Sequence, residues 1–179
     1  MADDYVPPRG TGAPKYAIEK FAENVAQALS FKPGASIEEL VKSTGGKIVI
    51  GSTGSEDFQS GSIIARALDD YTIYLSRNTS RLRDRFTIAH EIGHLTLHFP
   101  KLKEENPNAI MRATRWVDEA DQAQKRAEWE ANWFAAAFLM PAEPFKSAFA
   151  KGGIDYAQLV FDVSPSAAST RAQVLNLLG

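Results

Sequence analysis

The 179-residue chain contains no cysteine, and this absence excludes several kinds of site. Without thiols there is no disulfide scaffold, no thiol nucleophile and no Cys-ligated zinc or iron–sulfur centre, so histidines and carboxylates must hold any bound metal. Long apolar runs are also missing. The longest uninterrupted one is 133–140, far shorter than the roughly 20 residues that a membrane-spanning helix requires. The sequence therefore predicts no membrane segment.

An excess of positive charge is likewise absent. The chain has 20 Lys and Arg against 22 Asp and Glu, a formal net charge of −2, so direct binding to nucleic acid is not expected. Residues 1–4 lack the basic and apolar regions of a secretory signal. A chain of this length can build its core without a structural metal. We expect a cytoplasmic globular protein with no nucleic-acid or membrane partner.

The order of predicted elements indicates an α+β fold. Residues 1–14 are rich in proline and glycine and are predicted to be a flexible tail. Apolar residues at helical spacing predict an amphipathic helix over 15–30. Three short segments with β-branched or aromatic residues, 47–50, 62–67 and 71–75, predict a small antiparallel three-stranded sheet.

Two long helices are predicted after the sheet, over about 80–98 and 122–140. Shorter helical segments follow to the end of the chain. We therefore expect a main domain over 15–143 and a C-terminal helical subdomain over 144–179 that packs on it.

All three histidines of the chain, His90, His94 and His98, fall within one predicted helix. His90 and His94 belong to an H-E-x-x-H pattern, in which two imidazoles one turn apart can bind one Zn²⁺ while Glu91 activates a water molecule. The alternative is that the histidines only form hydrogen bonds in the core. Burying two imidazoles and a carboxylate without a partner is costly, which favours the metal.

A catalytic zinc also needs a third protein ligand. His98 lies roughly 12 Å along the helix axis from His90, too far for the same ion, and is predicted to cap the helix C-terminus instead. The second long helix offers Glu128 and Glu130. Glu128 is favoured because it shares a face with small residues that permit close helix packing, and Asn132, one turn on, is placed to orient a ligating histidine. Glu130 remains the alternative.

Two sequence blocks resemble the ImmA/IrrE-type metallopeptidases of bacteria, prophages and mobile elements. The first is Arg-Phe-Thr-Ile-Ala-His-Glu-Ile-Gly-His at 85–94, and the second is Glu-Trp-Glu-Ala-Asn-Trp-Phe-Ala-Ala-Ala-Phe-Leu-Met-Pro at 128–141. The segment 161–171 is similar to the helix-turn-helix-like C-terminal segment of that family. The resemblance implies a thermolysin-like core, with the small sheet packed on the helix that carries H-E-x-x-H.

The resemblance also implies site roles and an activity. His90, His94 and Glu128 would be zinc ligands and Glu91 the general base of an endopeptidase that cleaves a helix-turn-helix transcriptional repressor, expected to be a separate protein. The alternative is a non-proteolytic zinc-binding regulator or toxin-like partner of a helix-turn-helix protein. The intact Glu91 favours the enzyme.

Two details of substrate binding follow as expectations. A substrate peptide is expected to pair with an exposed strand edge at 71–75. The oxyanion-stabilising group stays open among side chains of suitable chemistry: Tyr71, Tyr74, Arg112, Arg115 and Tyr156.

Overall fold

The computed structural model describes residues 5–51 and 62–179. The helices are α1 (Lys15–Ala28), α2 (Ile37–Ser43), α3 (Arg81–Gly93), a π-helical turn (His94–His98), α4 (Phe99–Glu105), α5 (Gln122–Leu139), α6 (Ala142–Phe161) and α7 (Pro165–Val174). The strands are β1 (Tyr5–Val6), β2 (Gly46–Ile50), β3 (Ser62–Ala67), β4 (Asp70–Leu75) and β5 (Ile110–Ala113). The predicted α+β class is confirmed.

The described strands form one mixed five-stranded sheet in the order β1-β5-β3-β4-β2. β3 is antiparallel to both β4 and β5, whereas β2 is parallel to β4 and β1 is parallel to β5. The predicted three-stranded antiparallel sheet is therefore wrong in strand number and in the direction of β2. The eleven residues between β2 and β3 exceed the two to five of a hairpin loop, so they permit a crossing connection. β1 and β5 are too short to show a strand period.

Helix α5 packs closely on α3. A Cβ added at Gly93 would lie 3.1 Å from Phe134 Cδ1 and 3.2 Å from Ala131 Cα, so the two backbones approach where a larger residue would not fit. Ala131 and Ala135 are fully buried in α5, as expected of the small residues on the Glu128 face. This close packing brings the side chains of the two helices into direct contact.

The N-terminal segment is attached to the fold, and the expectation of a flexible tail is wrong for the residues described from Tyr5 onward. Tyr5–Val6 pair with β5. The backbone N–H groups of Thr11 and Gly12 each donate to the carboxylate of Glu130 at 2.9 Å. The composition of the N-terminal segment favours disorder. Its hydrogen bonds to a buried carboxylate of the distant helix α5 compensate for the conformational entropy that the segment loses when it becomes ordered.

The C-terminal helices pack on the rest of the protein. α6 is interrupted at Gly152 and Gly153, where the backbone leaves the helical region and Gly153 has a φ of +66°. Arg171 of α7 is buried and donates from Nε to Met140 O at 2.9 Å and from Nη1 to Glu19 at 2.8 Å. The boundary between 15–143 and 144–179 stays a prediction. Among the described residues, no helix combines the length and apolar character needed to cross a membrane.

Candidate metal centre

Helices α3 and α5 bring three potential metal ligands together. The Nε2 atoms of His90 and His94 lie 3.1 Å apart. The Glu128 carboxylate approaches both, with its oxygens 3.1 Å from His90 Nε2 and 3.0 Å from His94 Nε2. Each of the three residues offers one ligand atom, and these three atoms lie within 4.8 Å of one another. The facial argument that favoured Glu128 therefore agrees with where the fold places this carboxylate.

The protonation of His90 indicates that His90 and Glu128 need a cation between them. Its Nδ1 lies 2.8 Å from Asn132 Oδ1, an acceptor, so Nδ1 carries a proton and the neutral ring has a lone pair on Nε2. That lone pair faces the Glu128 carboxylate, which also only accepts when ionised. A cation between them satisfies both acceptors, a proton in the metal-free protein or a metal ion when one is bound, and Asn132 orients the ring as the sequence predicted.

The spacing of the ligand atoms also fits zinc. Ligands of a tetrahedral Zn²⁺ at 2.0–2.1 Å are about 3.3 Å apart, and the three distances here are 3.0–3.1 Å. Two imidazoles and one carboxylate form a set found in catalytic zinc sites, which keep a fourth position for water or substrate. The chemistry and the spacing of these residues therefore fit the ion that the sequence implies.

The local electrostatics prepare both ligand types. Burial lowers the pKa of His94 to about 3, so the imidazole is neutral and has a lone pair. Burial raises the pKa of Glu128, but the hydrogen bonds with His90 and His94 outweigh it and hold that pKa well below the ordinary range. The site therefore presents an ionised carboxylate and a neutral imidazole near neutral pH.

Glu91 lies beside the ligands in a different environment. It is 1% exposed, and its Oε2 has no hydrogen-bond partner among the described residues. Burial, opposed by His90 and assisted by the charge of Glu128, raises the pKa of Glu91 to about 8. A carboxyl group with a pKa near neutrality suits general acid–base catalysis.

Glu130 and His98 lie behind the ligands and bond to each other. His98 Nε2 is 2.9 Å from Glu130 Oε2, and its Nδ1 is 3.0 Å from His94 Nδ1. The prediction that His98 caps a helix terminus is wrong, because the π-helical turn lets the chain continue as a helix to Glu105. Sequence reasoning missed this pair, although His98 stands one turn from His94 on the same face.

A cleft of about 770 Å³ opens onto His90, Glu91 and Glu128. Its walls come from α1, α3, α5, α7 and neighbouring loops, and include Phe86 and Trp133. This volume is within the range of small-molecule and peptide sites.

The structure also bears on the two expectations about substrate binding. β4 is paired on both sides, by β3 and β2, so a peptide cannot pair with it and that expectation is wrong. Of the five candidates for oxyanion stabilisation, Arg115 lines the cleft. The Tyr71 hydroxyl is instead 2.6 Å from Thr44 Oγ1 inside the fold.

Comparison with solved structures agrees with the observed fold. No protein with a curated description matches the chain. A solved Mycobacterium tuberculosis transcriptional regulator has a similar fold, with a TM-score of 0.60 and 17% identity over 88% of this chain and 47% of that one. The chain thus spans about half the length of that protein, and the likeness concerns the fold alone.

A family comparison covers most of the chain. The IrrE N-terminal-like domain family, Peptidase_M78, matches residues 51–173, which include all the candidate ligands and Glu91. This match confirms the resemblance to ImmA/IrrE-type proteins and supports a metallopeptidase-like role. The chain belongs to the IrrE N-terminal-like peptidase family.

Proposed function

We propose that this protein is a zinc-dependent endopeptidase that hydrolyses a peptide bond in a helix-turn-helix transcriptional repressor. The observation that carries the proposal is the convergence of His90, His94 and Glu128 beside the buried carboxyl of Glu91, at a cleft that His90, Glu91 and Glu128 line. The family match supports peptidase chemistry. The repressor as substrate rests on the resemblance to ImmA/IrrE-type proteins.

The division of roles follows from the protonation of each group. His90 and His94 would hold zinc through Nε2, and Glu128 through its carboxylate. Zinc, when bound, supplies a Lewis acid that polarises a carbonyl and lowers the pKa of water toward about 7. Glu91 accepts a proton from the attacking water and returns it to the amine nitrogen that leaves. Asn132 accepts from His90 Nδ1 and so keeps the lone pair on Nε2.

The cleft suits a polypeptide substrate. Apolar side chains such as Phe86 and Trp133 offer contacts for substrate side chains, and Arg83 and Arg115 add positive charge along the walls. β4 is internal to the sheet and offers no edge to a substrate, so the cleft walls in α3, α5 and α7 are the surface that a substrate would contact. Such a protease acts in the compartment of its DNA-binding substrate, and we place it in the cytoplasm.

The decisive experiment compares the wild type with Glu91→Gln, which keeps the size of the side chain but removes the base. Metal content is measured on the purified proteins, and new protein N-termini are mapped in cells that express each variant. We expect both proteins to contain zinc, and a new N-terminus within a helix-turn-helix repressor only with the wild type.

Two other outcomes would contradict the proposal. If both proteins bind an intact repressor and relieve repression equally, the non-proteolytic regulator is the correct function. If new N-termini appear only in proteins of other classes, the peptidase activity stands but the repressor is not its substrate.

A further inference from the structure

A chain of buried hydrogen bonds leads from the candidate metal ligands into the core, on the side away from the cleft. His94 Nδ1 lies 3.0 Å from His98 Nδ1, and His98 Nε2 lies 2.9 Å from Glu130 Oε2. His94 is 0% exposed, His98 2% and Glu130 0%. Neither His98 nor Glu130 belongs to the candidate ligand set, so their burial requires another explanation.

The direction of each hydrogen bond follows from the chemistry at its end. The ionised carboxylate of Glu130 only accepts, so His98 Nε2 carries a proton. When a metal ion occupies His94 Nε2, the single ring proton of His94 lies on Nδ1 and is donated to His98 Nδ1. The other nitrogen, His94 Nε2, lies 3.0 Å from the Glu128 carboxylate and 3.1 Å from His90 Nε2, where a metal ion would bind it. This series of hydrogen bonds thus selects the tautomer of His94 that can bind a metal through Nε2.

Glu130 is itself fixed from the opposite side. It accepts from Thr11 N at 2.9 Å, Thr11 Oγ1 at 3.0 Å and Gly12 N at 2.9 Å. Arg126 Nε adds a further bond at 3.0 Å. These donors leave the carboxylate one orientation, with Oε2 toward His98. The N-terminal segment therefore anchors the far end of the chain.

We propose that His98 and Glu130 are positioning residues for the metal centre, and that they set the tautomer and ring plane of His94. The proposal rests on the proposed function, since it assumes that His94 binds zinc. Partners of ligating histidines typically contribute 10- to 100-fold to metal affinity. The same effect is expected here, carried through a second imidazole.

The first test measures zinc affinity by competition with a chromophoric chelator. In His98→Asn, the amide oxygen stands near the position of Nδ1 and can still accept from His94, whereas His98→Leu has no acceptor. We expect His98→Leu to weaken zinc binding about 10- to 100-fold, and His98→Asn to restore most of the affinity. Phe145→Leu, a change to a fully buried side chain of α6, is the control that disturbs the core with unchanged affinity.

The second test observes the tautomer directly and needs no variant to fold. The chain has three histidines, so their ring nitrogens can be assigned by long-range ¹H–¹⁵N NMR of the zinc-loaded wild type. We expect the proton of His94 on Nδ1 and that of His98 on Nε2. A proton on His98 Nδ1, or equal zinc affinity for His98→Leu and the wild type, would overturn the proposal. Failure of the wild type itself to bind zinc would instead refute the proposed function, and this proposal with it.

Discussion

Replacing Glu91 with Gln should stabilise the metal-free protein, by an amount that grows with pH. Burial raises the pKa of Glu91 from its ordinary 4.5 to about 8 in the folded protein. A raised carboxyl pKa means that the folded state keeps a proton that the unfolded state releases. The contribution of Glu91 to the stability of the wild type is therefore greatest below pH 4.5 and falls as the pH rises toward 8. The neutral amide of Gln does not titrate, so Glu91→Gln does not lose stability in this way as the pH rises.

The size of the effect depends on the pH range between the pKa values of Glu91 in the unfolded and folded states. Each pH unit between the unfolded and folded pKa values costs about 1.4 kcal/mol of unfolding free energy. Between pH 5 and pH 7, the wild type should therefore lose about 3 kcal/mol relative to Glu91→Gln. Because the two pH values are compared within one pair of proteins, any constant difference in packing between Glu and Gln cancels.

The assay is urea unfolding of both proteins at pH 5, 6, 7 and 8 with a chelator present. Glu143→Gln is the matched control, since Glu143 is an exposed partner of Lys146 and its loss should change stability by less than about 1 kcal/mol at every pH. A stability difference between wild type and Glu91→Gln that varies by less than about 0.5 kcal/mol from pH 5 to pH 7 would refute the reasoning.

Three further predictions follow from other parts of the structure. Glu128→Ala should remove most bound zinc in elemental analysis, because it deletes one of three converging ligands; stoichiometric zinc in this variant would contradict the ligand set. Chelation should leave the far-ultraviolet circular dichroism unchanged, since a core of this size does not need the ion; cooperative unfolding would show otherwise. Arg171→Met should lower the unfolding free energy by about 1–3 kcal/mol, because it leaves the Met140 carbonyl without its donor and the partly exposed Glu19 carboxylate without its ion pair; urea unfolding within about 0.5 kcal/mol of wild type would argue against that role.

Helix periodicity determined much of the candidate site in advance. His90 and His94 stand one turn apart wherever that segment is helical, so their shared face is a local property. The same reasoning separates Glu128 from Glu130, because two residues along a helix point to different sides. The fold agrees, with the Glu128 carboxylate 3.0–3.1 Å from the two imidazoles.

Tertiary structure alone decided the rest. The order of the sheet, with β4 inside it and β2 parallel to it, depends on pairings between segments whose short strands carry no signal of partner or direction. The pairing of His98 with Glu130 joins residues that lie 32 positions apart in the sequence. The attachment of the N-terminal segment at Thr11 joins residues that lie 119 positions apart. Local sequence determines which side of a helix a group occupies. Which distant group satisfies a buried imidazole or carboxylate is settled only when the chain has folded around it.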